Sequence, residues 1–340
     1  MIPRTIERDG ATLRFIDQTL LPERLEVVAC TDVDRLARAI RRLEVRGAPA
    51  LGIAGAYGVA LAAMTSTETD YGPFVEDVAK AAAYLRVTRP TAVNLGWGID
   101  RTLAALRATG TVDGAVEAAV READHIARED EEVCRALGRN GADLIPDGAR
   151  VLTHCNAGAL ACSTWGTALG VVRSAVESGK KVSVTACETR PLLQGARLTA
   201  FELHEDGIPA RVITDSTAAF LMQRGEIDCV VVGADRITQD AVFNKIGTYM
   251  HAVCARYHGI PFYVAAPLST FDTIHRAADI TIEERDEDEI GAFSGKRTVP
   301  SGVPCTNFAF DATPLDLVSA IVTEKGVLRP PYGQMQGIFK

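Results

Sequence analysis

The chain of 340 residues is 47% apolar and 24% charged, holds eight cysteines and carries a formal net charge of −8. These values describe an ordinary globular protein of two domains, or one large α/β domain with an appendage. The negative balance and the lack of any basic stretch exclude a nucleic-acid surface, and they leave complexes with other proteins open.

The first ten residues contain no apolar core of signal-peptide length. The cysteines (30, 134, 155, 162, 187, 229, 254 and 305) are scattered with no C-x-x-C pair, and several sit in apolar runs. That is the usage of reduced, mostly buried thiols, so a cytoplasmic protein is expected. Residues 11–29 alternate loosely around Leu21-Pro22-Glu23 and predict two short antiparallel strands. Thr31, followed by Asp32 and Asp34, predicts a helix start, with Leu36, Ile40 and Leu43 as its apolar stripe. Val45-Arg46-Gly47-Ala48-Pro49 then forms a turn carrying one cation. The apolar segment Ala48 to Met64 follows, interrupted by glycines and Tyr57, and predicts a buried helix rather than a membrane span. Its small residues let another backbone or a ligand approach closely.

Two helical stretches flank the loop around Arg89, where Pro90 predicts an extended Arg89. A long charged helix is expected over 112–138, ending at Gly138, with Asp143 to Gly148 as the domain linker. The expected division is a smaller mixed α+β N-terminal domain, residues 1–140, and a catalytic domain, residues 150–340.

From Arg150 the rhythm changes. Apolar strands (Val151 to Thr153, Val182 to Thr185, Arg211 to Ile213, Cys229 to Val232, Phe262 to Ala265) alternate with helical segments over 165–178, 195–205, 217–224 and 245–258. This is the pattern of an α/β fold with a Rossmann-like parallel sheet covered on both faces. Nearly every strand ends in polar residues, among them His154-Cys155-Asn156, Cys187-Glu188-Thr189-Arg190, Thr214-Asp215-Ser216 and Asp235-Arg236. Such strand ends gather on one rim, where open α/β sheets bind their ligands.

The rim holds a thiol, acids, cations and amides. A helix opening near Thr164 would place Cys155 beside a helix N-terminus, whose dipole favours a thiolate or bound anion. A small residue in a buried turn is the other reading of Cys155. Gln194 and Gly195, leading into a helix, offer an anion seat. Arg190 and Arg197 fit surface ion pairs and ligand contacts equally. Asp235 ends a buried strand, where desolvation would raise its pKa and suit a proton donor, or it caps the next turn. No nucleotide-binding signature occurs. The six histidines are dispersed, so no metal site and no cofactor are expected, and His251 with His258 reads as packing. A thiol, an acid and an anion seat fit chemistry that moves a hydrogen within a sugar phosphate.

The motifs Val45 to Pro49, Arg89 to Leu95, His154 to Ala161, Glu188 to Ala200, Gly233 to Ile237, Asn244 to Tyr249, Ile282 to Asp286 and Thr323 to Tyr332 cover nearly the whole chain in order. Together they resemble the family that includes methylthioribose-1-phosphate isomerase, the regulatory subunits of translation initiation factor 2B, and ribose-1,5-bisphosphate isomerase. Ala161-Cys162 stands where that pattern has Ala-Thr. The resemblance implies a homodimer acting on a small sugar phosphate, with Cys155 and Asp235 as the catalytic pair. It implies substrate contacts at Arg46, Gly47, Ala48, Arg89, Gln194, Asn244 and Lys245. The implied reaction is an aldose-to-ketose isomerisation, with no nucleic-acid or membrane partner.

Overall fold

A computed structural model describes residues 2–89 and 92–332, and the chain divides into two compact units. The first comprises residues 1–136 and 158–170, the second residues 137–157 and 171–340.

The first unit opens with an antiparallel sheet of β1 (Ile6–Asp9), β2 (Thr12–Ile16) and β3 (Val27–Cys30); β2 and β3 are the two strands expected within residues 11–29, and β1 before them is an extra one. The extra strand forms because Gly10, at a positive φ of 61°, reverses the chain between β1 and β2. Helix α1 (Val33–Arg41) starts one residue later than expected. Asp32, not Thr31, is its cap and accepts from the Arg35 N–H at 2.7 Å. Leu36 and Ile40 are buried as the stripe requires, while Leu43 leaves the helix at a left-handed φ of 62°.

Helix α2 (Ala48–Thr65) is long and apolar enough to cross a membrane, yet it is buried along nearly all its length. It packs against α1, α3 (Tyr71–Arg86) and α4 (Val93–Arg107). Its glycines make this possible. A Cβ on Gly55 would lie 2.6 Å from the Leu95 carbonyl oxygen, and one on Gly98 would lie 2.0 Å from that of Gly52. Only bare backbone lets α2 and α4 approach so closely.

The charged helix α5 (Val112–Ala142) runs past its expected end at Gly138, and the division between the units falls inside it. Gly141 is a packing glycine rather than a stop. A Cβ there would meet Val171 at 2.5 Å.

The second unit follows the expected alternation. Its elements are β4 (Arg150–Thr153), α6 (Ala168–Glu177), β5 (Ser183–Cys187), α7 (Ala200–Glu205), β6 (Ala210–Ile213), α8 (Thr217–Gln223) and β7 (Cys229–Val232). There follow β8 (Arg236–Ile237), β9 (Ala241–Lys245), α9 (Thr248–Tyr257), β10 (Phe262–Ala265), α10 (Asp288–Gly291), β11 (Ala292–Phe293) and β12 (Lys296–Arg297). The last are β13 (Phe310–Pro314), β14 (Ala320–Thr323) and β15 (Gly326–Leu328).

Seven strands form the main sheet in the order β15-β14-β10-β7-β4-β5-β6, all parallel except the β15 edge. The strand order reverses between β4 and β7. In a doubly wound sheet that reversal opens a crevice at the strands' carboxyl ends. β4 leads into Cys155 and β7 leads into Asp235.

Three local expectations change. The helix after β4 starts at Ala168, not near Thr164, because residues 159–161 turn as a single 3₁₀ turn first. The helix expected over 245–258 loses its start to β9, which pairs with β13 in a separate three-stranded sheet, β13-β9-β8. Residues 195–205 are helical, but their first turn, Gly195–Thr199, is a π-helix.

Candidate active site

Cys155 sits just past β4 at φ +62°, a left-handed conformation that costs a non-glycine residue about 1–2 kcal/mol. Three hydrogen bonds hold it there. Its N–H donates to Thr189 Oγ1 at 2.8 Å, Thr189 Oγ1 donates to the Cys187 carbonyl at 3.0 Å, and Thr199 Oγ1 donates to the Cys155 carbonyl at 2.6 Å. Thr189 is itself fully buried at φ +67°. Its N–H and that of Arg190 each donate to one oxygen of Asp215 at 2.8 Å. Asp215 is therefore an anchor for the loop after β5, rather than an acid offered to solvent.

The thiol is half-buried. α6 starts thirteen residues beyond Cys155, so the cysteine turn does not lead directly into that helix, which corrects the sequence expectation. What surrounds the turn instead is a buried polar network. Asn156 Nδ2 donates to Glu202 Oε1 at 2.8 Å, and Arg173 bridges Glu202 Oε2 at 2.8 Å and Asp206 Oδ2 at 2.5 Å. Arg173 is 7% exposed and Glu202 wholly buried, so each charge has the partner that burial demands.

Gly195 meets a strict steric demand, since a Cβ would lie 1.7 Å from the Cys187 carbonyl oxygen. Gln194 beside it is buried, and its Oε1 has no hydrogen-bond partner among the described residues. A buried amide left unmatched in this way suits a ligand donor such as a hydroxyl. Arg190 and Arg197 each donate to a backbone carbonyl of their own loop, that of Pro191 at 3.0 Å and that of Leu192 at 3.1 Å.

Asp235 follows β7, whose four residues are all buried, but is itself half-buried. Its N–H donates to the Phe243 carbonyl at 2.9 Å, starting the β8–β9 hairpin, and Arg236 pairs with Asp272 at 3.3 Å. The hairpin's second strand carries Asn244 and Lys245. Asn244 Nδ2 donates to Thr248 Oγ1 at 3.1 Å, and Lys245 Nζ donates to the Ala309 carbonyl at 2.8 Å while lying 4.6 Å from the centre of the Phe310 ring. Asp311 on β13 accepts from the N–H groups of Gly247 at 2.7 Å and Tyr249 at 3.1 Å, capping α9. Burial pushes the Asp311 carboxyl up to about 6, against those two donors and Lys245.

The sequence reading missed a pair of imidazoles. His154, which precedes Cys155, donates or accepts through Nε2 at the Ile246 carbonyl, 2.8 Å away, and the carbonyl fixes the direction as donation. Its Nδ1 faces His251 Nε2 on α9 at 3.2 Å. Burial lowers both, His154 to about 4 and His251 to about 3, so both are neutral at pH 7. Dispersal along the chain hid this pair, and residue spacing holds no signal for it.

The remaining predicted contacts lie on the first unit. Gly47 has a φ of 96°, and a Cβ there would sit 2.5 Å from Ala161 Cα, so only glycine fits between Arg46 and α2. Arg46, Gly47 and Ala48 are half-buried at the entry to α2, whose first turn carries Pro49. Arg89 is half-buried after α3, and Pro90 and Thr91 of its loop lie outside the described residues.

A sheet of Rossmann order with polar residues at the two strands flanking its reversal defines an α/β protein of the ligand-binding, doubly wound class. The pattern of the initiation factor 2 subunit family matches residues 44–330, and the chain belongs to that family. It is similar to methylthioribose-1-phosphate isomerase of Heliobacterium modesticaldum, 53% identical over 94% of each chain. It is similar to the crystal structure of 5-methylthioribose 1-phosphate isomerase from Pyrococcus horikoshii OT3, with TM-score 0.93 and 42% identity, covering 99% of this chain and 96% of that one. It also resembles a crystal structure described as translation initiation factor eIF-2B, subunit delta, from A. fulgidus, with TM-score 0.89, 54% identity and 97% of each chain covered.

Proposed function

We propose that this chain is an aldose–ketose isomerase that converts 5-methylthioribose 1-phosphate to 5-methylthioribulose 1-phosphate, a step of methionine salvage. The relatives above supply the substrate. The observation that carries the reading is the placement of Cys155 and Asp235 after β4 and β7, the strands on either side of the sheet's reversal.

The chemistry follows from the substrate. Its phosphate is on the anomeric carbon, so the ring cannot open to a free aldehyde. Asp235 protonates the ring oxygen and the C1–O bond to the ring breaks. Hydrogen then passes from C2 to C1 and the C2 hydroxyl proton leaves, giving the 2-ketone. Cys155 either takes the C2 hydrogen as a proton or stabilises its direct transfer as hydride. Arg46 and Arg89 supply charge for the phosphate, and the Gln194 amide accepts from a sugar hydroxyl. Gly47, Ala48, Asn244 and Lys245 complete the contacts.

The proposal extends to place and assembly. None of the eight cysteines is joined in a disulfide among the described residues, which supports a reducing, cytoplasmic setting. A homodimer is supported by Tyr249, Val253 and Tyr257, spaced four residues apart on α9 and exposed together with Met250 and the neighbouring Phe220 of α8. Light scattering on the purified chain tests the pairing.

The likeness to the structure described as a translation-factor subunit favours a second reading, a non-catalytic regulatory chain. One assay separates them. The purified protein is given 5-methylthioribose 1-phosphate, 5-deoxyribose 1-phosphate and ribose 1,5-bisphosphate, and product ketose is measured. Turnover of the first substrate in preference to the bisphosphate is expected. No turnover of any of the three would leave the regulatory reading standing.

A further inference from the structure

We propose that His154, Cys187, Asp215 and His251 form a binding site for one zinc-type divalent transition-metal ion, a structural clamp behind the cysteine turn. One ligand atom from each, two imidazole nitrogens, a thiol sulfur and a carboxylate oxygen, lies within 4.8 Å of all the others. His154 Nδ1 is 3.2 Å from His251 Nε2 and 3.8 Å from Asp215 Oδ1. Around a tetrahedral zinc with bonds of about 2.0–2.3 Å, neighbouring donors stand about 3.3–3.8 Å apart. Two of the six separations already match those values and the others are at most 4.8 Å, so a contraction of about 1 Å at the longest of them brings all four donors onto one ion.

The supporting shell has the form that metal sites use. His154 spends its Nε2 proton on the Ile246 carbonyl at 2.8 Å, which turns the bare Nδ1 lone pair into the cluster. Gly247 makes that contact possible, because a Cβ there would press on the His154 ring at 3.2 Å. Asp215 is held by the N–H groups of Thr189 and Arg190, one on each oxygen, and each oxygen keeps a lone pair.

Charge and donor type select the ion. His154, Cys187 and His251 are each at most 1% exposed, so a net charge left there would be costly. A divalent cation with one thiolate, one carboxylate and two neutral imidazoles sums to zero. A thiolate excludes magnesium and calcium, and four protein ligands with none left open fit a structural site. On binding, Cys187 gives its proton to solvent and its sulfur takes the metal bond. His251 moves its ring proton from Nε2 to Nδ1, so one proton is released per ion.

The placement gives the clamp a purpose. His154, Cys187 and Asp215 follow or end β4, β5 and β6, three neighbours in the sheet, and His251 is on α9. One ion would tie the carboxyl edge of the sheet to α9 and fix the residue before Cys155.

The test uses the full-length protein and zinc or cobalt alone. After equilibration with Zn²⁺ and removal of loose metal by dialysis, elemental analysis should find about one zinc per chain. Loading with Co²⁺ should give a thiolate-to-cobalt charge-transfer band with tetrahedral visible bands in the unaltered protein. In Cys187→Ala that charge-transfer band should vanish, and in His251→Gln zinc affinity should fall by more than the roughly 10–100-fold that losing a supporting partner costs. No retained zinc and no cobalt spectrum in the unaltered protein would overturn the proposal, whatever the variants do. So would zinc that survives Cys187→Ala but leaves with Cys134→Ala, which would place it at the separate Asp130–Cys134–Cys162 group. Metal content is read without turnover, so this result and the isomerase assay stand or fall separately.

Discussion

Replacing Thr189 by valine removes one hydroxyl from behind Cys155 and little else. Valine has nearly the same shape and the same branching, so the strain of φ +67° is unchanged. What goes is the acceptor for the Cys155 N–H and the donor to the Cys187 carbonyl, both in a fully buried position. Two lost bonds and a stranded buried N–H amount to about 2–4 kcal/mol. For a unit of this size that is a fall in melting temperature of about 5–10 °C. The turn that aims the thiol then loses a support, and a misplacement of 1 Å can cost about 100-fold in rate, so kcat should fall at least about tenfold with KM less affected. Thr189→Ser keeps the hydroxyl and loses a methyl group, at about 1 kcal/mol, and should retain most turnover. Differential scanning calorimetry and steady-state kinetics on the three proteins decide it. A valine variant melting within about 1 °C of the unaltered protein, with unchanged kcat, would refute the claim that this hydroxyl holds Cys155.

Asp235→Asn should abolish nearly all turnover while substrate still binds by calorimetric titration, and a near-normal kcat would remove the proton-donor role. Cys155→Ser should be severely impaired, whereas Cys162→Ser, at a buried packing position, should lose stability more than rate; equal kinetic losses would assign the effect to packing. Asp311 is protonated more readily in the folded chain (about 6) than in the unfolded one (3.8), so its contribution to stability is fully present below pH 3.8 and is lost as pH rises through 6. Relative to Asp311→Asn, the unaltered protein should lose up to about 3 kcal/mol of stability across that window, measured by urea unfolding at several pH values, and parallel pH profiles would contradict the burial argument. Turnover in heavy water should place deuterium at C1 of the product if Cys155 exchanges the hydrogen with solvent, and product free of label is expected of direct transfer; mass spectrometry reads the difference.

Much of the fold was legible in the order of the residues. Strands such as Cys229–Val232 are continuous apolar runs because both faces of a parallel sheet are covered, and the polar clusters that end them mark its carboxyl rim. Cys155 and Asp235 stood out for that reason, as did the small-residue helix α2, whose glycines admit the backbone of α4. Local pattern also fixed the stripe of α1, though not which of Thr31 and Asp32 caps it.

Other features depend on partners distant in sequence, and these only the tertiary structure decided. Lys245 reads as the first residue of a helix, yet it ends β9, to which β13, some seventy residues on, offers a ladder of hydrogen bonds. Gly138 reads as a helix stop, yet α5 continues to Ala142, where Gly141 admits the side chain of Val171. The order β6-β5-β4-β7-β10-β14, and with it the reversal between the strands carrying Cys155 and Asp235, is a matter of which strand pairs with which. The same pairing brings His154 to His251 and Cys187 to Asp215. Sequence periodicity reports which face of an element is buried, because burial depends on the residue itself. Which surface covers that face depends on the whole chain.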